Sequence, residues 1–271
     1  MNDAPAAGVR RRIAVTNQKG GVGKTTTAIN LSAALVEMGR RVLLIDLDPQ
    51  GNASTGLGID ADRRRRNSYD LLLGEGGVSE LALTTSVPNL SVIPATQDLA
   101  SADVDLVDDP KRARRLSEAL SDAALGDAWD HVVIDCPPSL NLLTVNAMAA
   151  SDAVLVPLQC EFFAMEGLSQ LLSTVREIRK ALNPALVVEG VVLTMYDRRN
   201  NLSELVAKDV RATLGDVVYR TVIPRNVRLS EAPSYAVPAT VYDPGSSGSL
   251  AYRALARELI EREAAAGVAA E

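Results

Sequence analysis

Apolar residues occur along this chain in short continuous runs, set between longer stretches whose apolar positions recur with helical spacing. The first run, 13–16, reads as a buried strand feeding a glycine-rich turn. A helix is predicted from about 24 to 38, with Gly39 as its natural C-terminal cap. Further strands are predicted at 41–46, 131–135, 153–157, 186–194 and 217–223. Helices are predicted at 166–182, 201–214 and 249–263. Asn201-x-x-Glu204 reads as the capping box of the second of these, and Gly215 follows its last residue. Apolar strands alternating with helices imply a mostly parallel, doubly wound α/β sheet with helices on both faces. Ligands of such sheets bind at the carboxyl ends of the strands, where the polar clusters of this chain fall. Residues 56–130 carry no comparable regularity. No repeat or linker divides the chain, so the expected layout is a loose tail over 1–9, one domain over 10–263 and a short tail over 264–271.

Between the first strand and helix lies Lys19-Gly20-Gly21-Val22-Gly23-Lys24-Thr25-Thr26. Glycines let consecutive N–H groups turn inward around a phosphate, and the following helix adds the positive end of its dipole. Lys24 is placed to reach β- and γ-phosphates, and the Thr25 hydroxyl to hold Mg2+. The usual Gly-x4-Gly-Lys-Thr pattern fails at its first position, which is Gln18, and a second lysine, Lys19, precedes the glycines. Asp46 and Asp48 stand two residues apart at the end of the second strand, suited to holding metal waters and orienting an attacking water. Asp135 ends another apolar strand, the usual place for a Walker B carboxylate, and Cys136-Pro137-Pro138-Ser139 then forms a stiff turn that reads as a γ-phosphate sensor or a plain strand terminator.

The loop Lys-Gly-Gly-x-Gly-Lys-Thr resembles the deviant Walker A of the ParA/MinD ATPases. The resemblance runs from about residue 11 to 263 and extends to Cys160-Glu161, Glu166-Gly167-Leu168, Leu193-Thr194-Met195-Tyr196-Asp197 and Tyr242-Asp243-Pro244, which look like the chromosomal ParA (Soj) branch. It implies a single-domain P-loop NTPase that binds ATP and Mg2+ and hydrolyses ATP weakly until a partner stimulates it. By the family's pattern, Lys19 reaches the nucleotide of a second subunit, Asp46 lies near the metal waters with Thr25 and Asp135, and Asp48 positions the nucleophilic water. Pro224 and Asn226 are implied base-side contacts, and Arg199 and Arg228 match positions implicated in DNA binding. The implied partners are a second copy in an ATP-bound sandwich, non-specific duplex DNA and a ParB-type centromere-binding protein. The expected location is cytoplasmic, on the nucleoid in the ATP state. Gly245-Ser246-Ser247 departs from relatives that carry arginines there, and Tyr235 stands where histidine is common.

Composition narrows the alternatives. The 271 residues are 47% apolar with a net charge of −6, so nucleic-acid binding needs a local basic patch and not a general cationic surface. Two cysteines, Cys136 and Cys160, lie outside any Cys-x-x-Cys pair and read as core residues, which leaves little for an iron–sulfur cluster. The single histidine, His131, allows no histidine-based triad or zinc site. Arg63–Arg66 and the basic residues from Lys111 to Arg115 read as solvated charge. A MinD-like membrane cycle would call for an amphipathic C-terminal helix pairing basic with large apolar residues, which 262–271 does not supply. A metabolic amidotransferase of the same superfamily is the third reading.

Overall fold

The structure is a computed structural model and describes residues 10–268; the expected tail over 1–9 lies outside the described residues. Its strands are β1 (Arg11–Val15), β2 (Val42–Asp46), β3 (Leu83–Thr84), β4 (Leu90–Ile93), β5 (His131–Asp135), β6 (Ala153–Gln159), β7 (Val187–Tyr196) and β8 (Val218–Pro224). They form one sheet in the order β3-β4-β2-β5-β1-β6-β7-β8, parallel throughout except for the β3–β4 pair. β3 and β4 arise inside the stretch that lacked a pattern. They span two and four residues among short helical turns, too few for periodicity to register.

Strand alternation distributes the core to both faces. Ile13, Val15, Leu44 and Val133 pack on one side with the helix Lys24–Glu37 and with Tyr252, Leu255 and Leu259 of the closing helix. Ala14, Leu43, Ile45, Val132 and Ile134 face the other, against Leu116, Leu120, Leu143 and Ala147. Every residue of β2 and β5 is buried, which is why both read as unbroken apolar runs.

The helix Lys24–Glu37 ends as predicted. Gly39 has φ 81°, its N–H reaches Val36 O, and Arg40 N reaches Leu35 O, the paired bonds of a Schellman cap. The helix Asn201–Leu214 is capped one residue earlier than the capping-box reading placed it, by Asn200, whose side chain accepts from Leu202 N at 3.0 Å. The closing helix, Ser247–Val268, continues past the expected end at 263.

Candidate nucleotide site

The glycine loop leaves β1 and enters the helix Lys24–Glu37 at the carboxyl edge of the sheet. Gly21 and Gly23 have φ 75° and 88°, a left-handed backbone that a side chain would strain. Two residues to which motif reading assigned no role hold the loop in place. Asn17 donates to Pro157 O at 2.8 Å and accepts from Lys19 N at 3.0 Å. Thr194, at the end of β7, donates to Val22 O at 2.8 Å. Their signal was positional, one just before the glycines and the other at a strand end. The Lys24 ammonium folds back to Lys19 O at 3.0 Å, and burial lowers its pKa against the pull of Asp135, Cys136 and Asp48.

Asp46 and Asp135 end β2 and β5 as register partners, so both side chains leave the sheet on one face. Asp46 is satisfied: its carboxylate accepts from Ser54 N at 2.8 Å, Ser54 Oγ at 2.6 Å and Asp48 N at 3.2 Å. Burial nevertheless raises its pKa to about 6. Asp135 is fully buried with both oxygens unpartnered, and burial together with Asp46 pushes its pKa well up. The Thr25 hydroxyl faces it and partly counters the shift without reaching hydrogen-bonding geometry. β2 stops at Asp46, so Asp48 sits in the turn beyond the strand, where its Oδ1 accepts from Gln50 N at 3.0 Å.

An unpartnered buried carboxylate beside a second one and a threonine hydroxyl fits a divalent cation. Among the described residues no group of three or more His, Cys, Asp or Glu forms a metal cage. A cation held by Thr25, Asp46 and Asp135 would therefore complete its shell with phosphate oxygens and water, as Mg2+ does.

A cavity of about 290 Å3 opens beside the loop, lined by Thr25, Thr26, Ile29 and Asn30, with Pro233 and Pro238 opposite. Pro224 and Asn226 do not line it. Asn226 caps the short helix Val227–Glu231, accepting from Arg228 N at 2.8 Å, and donates to Ser247 Oγ at 2.7 Å. Arg199 is 89% exposed at its side chain and pairs with Asp197 at 3.0 Å. Arg228 pairs with Glu231 at 2.8 Å and Asp243 at 3.2 Å. Arg198 and Arg225 are also exposed, and Arg225 N bonds to Tyr196 O across the β7–β8 ends.

Lys19 is exposed and forms an ion pair with Glu161, just past β6. Phe162 and Phe163, the only phenylalanines in the chain, follow at once. They are 77% and 62% exposed and stack edge to face at 5.1 Å. Cys136 and Cys160 are free and buried in different core clusters. His131 opens β5, buried, with Nε2 3.1 Å from Glu263. The basic runs are braced within the fold: Lys111 pairs with Glu118, Arg115 with Asp109, and Arg66 with Asp70 and Glu80.

Comparison with known proteins identifies the family. A family model described as an AAA domain matches residues 10–188. The chromosome partitioning protein ParA of Caulobacter vibrioides is 60% identical over 93% of this chain and 95% of its own. The sporulation initiation inhibitor protein Soj of Bacillus subtilis is 54% identical over 91% and 97%. A structure named as cobyrinic acid a,c-diamide synthase from Mycobacterium smegmatis, with bound ATP analog and magnesium, superposes with a TM-score of 0.82 at 41% identity, covering 93% of this chain and 94% of that one. The chain belongs to the ParA/Soj branch of the ParA/MinD family and is an ATPase whose cofactors are ATP and Mg2+.

Proposed function

We propose that this ATPase partitions DNA, chromosomal or plasmid, by using ATP to time its stay on the duplex. The observation that carries the enzymatic part is the Asp46–Asp135 pair beside the glycine loop, with both Asp135 oxygens buried and unpartnered. ATP and Mg2+ supply the phosphoryl group and the charge that organises it. Thr25, Asp46 and Asp135 hold the cation, the loop N–H groups and Lys24 hold the phosphates, and Asp48 orients the attacking water. Partition itself is supported by the relatives at 60% and 54% identity, named for ParA and Soj.

In this reading two nucleotide-bound copies face each other, and Lys19 exchanges its pair with Glu161 for the partner's phosphates. The exposed phenylalanine pair supports it. Burying the exposed parts of Phe162 and Phe163 in both copies would cover about 400–700 Å2, roughly a third of the 1,200–2,000 Å2 or so of a stable interface. The dimer then joins two patches built on Arg199 and Arg228, and binding without sequence preference follows from phosphate contacts alone. Pairing within the chain does not disable these arginines, because exposed ion pairs are weak and exchange readily for phosphate. A ParB-type centromere-binding protein stimulates hydrolysis and release, which places the protein on the nucleoid in its ATP state.

The name of the Mycobacterium neighbour raises a metabolic alternative. Cobyrinic acid with glutamine accelerates ATP turnover if that alternative holds and leaves it unchanged in the partition reading. The dimer is tested by the solution mass of Asp48→Ala in Mg-ATP and in Mg-ADP. The reading expects twice the monomer mass with ATP only; monomer in both states would contradict it.

A further inference from the structure

Arg64 stands in the run Arg63-Arg64-Arg65-Arg66, whose composition suggests solvated surface, yet its guanidinium turns into the loop that follows Asp48. Its Nε and Nη2 donate to Ile59 O at 2.9 and 2.6 Å, Nη2 also reaches Thr55 Oγ1 at 2.8 Å, and Nη1 reaches Gly51 O at 3.4 Å. The fork therefore ties both ends of the short helix Asn52–Gly56, one at Gly51 and the other beyond its last residue. None of its partners is a carboxylate, so the planar array of donors matters more than charge.

What Arg64 ties down is the scaffold of both catalytic-side aspartates. Gly51 N closes the turn onto Asp48 O at 2.8 Å, so the residue Arg64 grips is the one that ends the Asp48 turn. Ser54, inside the tied helix, supplies two of the hydrogen bonds that hold Asp46 and accepts Ala95 N at 2.9 Å from the end of β4. Gly51 itself is wedged: a Cβ there would lie 2.6 Å from Arg64 Nη1 and 3.1 Å from Ala95 O, and its φ is 62°. Little slack remains between Arg64 and the β4 end.

We propose that Arg64 is a positioning residue for ATP hydrolysis, bracing the loop so that Asp48 keeps the attacking water in line. The inference rests on the assignment of Asp48 in the proposed function. It predicts a loss of turnover without a matching loss of nucleotide binding, because the glycine loop and Lys24 are anchored separately through Asn17 and Thr194.

The test uses the full chain with Mg-ATP, measuring kcat, KM and the Kd of a fluorescent ATP analogue. Arg64→Ala is expected to lower kcat about ten- to a hundredfold, as a misplaced catalytic group does, with Kd within about twofold of the parent. Arg64→Lys is expected to recover little, since one ammonium cannot span three acceptors. Thr55→Val, a milder change that removes one acceptor of Arg64 together with the hydroxyl's own bond to Gly51 O, is expected to fall between, and Arg63→Ala, whose contact is Thr84 O, to match the parent. Parent-like kcat in both Arg64→Ala and Thr55→Val would overturn the proposal. Parallel losses of kcat and affinity would do the same, since they mark a merely structural role. Asp48→Ala, run alongside, separates the two levels: if it hydrolyses normally, the assignment of Asp48 fails, whereas its inactivity beside an active Arg64→Ala defeats the brace alone.

Discussion

Asp46 and Asp135 are register partners across β2 and β5, both fully buried, and one of them has no hydrogen-bond partner at all. A folded-state pKa raised above the unfolded value means that the charged form opposes folding. Asp135 therefore costs stability above its folded pKa; the cost shrinks as pH falls and is gone below the ordinary value of 3.8. In the absence of nucleotide, Asp135→Asn is expected to melt higher than the parent at pH 8, by about 2–4 °C for each 1 kcal/mol gained, with the gap closing as pH is lowered. Mg-ATP should reverse the order, stabilising the parent and not the variant. A parent that melts higher than the variant without nucleotide would contradict this.

Glu258 has the opposite sign. Burial pulls its pKa up, but Arg220 N, Thr221 N, Thr221 Oγ1 and Arg262 all donate to it and hold it below 4.5. Its stabilisation is present above 4.5 and is lost as pH falls through the folded value. Glu258→Gln is expected to cost about 1.5–3 kcal/mol in urea unfolding at pH 7, with the difference narrowing below pH 4.5.

Phe162 and Phe163 follow Glu161, the partner of Lys19, and are largely exposed while stacking edge to face on each other. Replacing both with serine should leave the monomer fold and analogue binding intact while weakening ATP-dependent dimerisation at least tenfold. Sedimentation in an Asp48→Ala background reads this directly, and an unchanged dimer would show that the pair faces something else.

The sequence made the strands that carry the site legible because β2 and β5 are buried throughout, and β1 and β6 over most of their length, so that each reads as an apolar run with polar residues at or just past its end. The glycine loop was legible because phosphate binding demands particular backbone freedom at particular spacing. The roles that the sequence did not reveal depend on contacts distant in the chain. Asn17 reaches Pro157, Thr194 reaches Val22, and Ser54 links Asp46 to Ala95. None of these polar residues differs locally from an ordinary surface residue. Arg64 misled for the converse reason: its neighbours are arginines, and only the fold turns it inward.

The two arginines proposed to face DNA carry a salt signature. Each phosphate contact contributes about 0.9 to the slope of log affinity against log salt. Arg199→Ala or Arg228→Ala, removing one contact per subunit, should flatten the slope of the ATP-bound dimer by about 2 and weaken binding evenly across sequences. A variant that changes affinity at one salt concentration but leaves the slope intact would remove that residue from the interface.

The most direct measurement is the affinity of Asp48→Ala for non-specific duplex DNA in Mg-ATP and in Mg-ADP. The variant is expected to bind nucleotide and remain in the ATP state. Tight, salt-sensitive binding with ATP and weak binding with ADP is the predicted result. Equal binding in the two states, or none in either from protein that binds ATP, would contradict a nucleotide-timed occupancy of DNA.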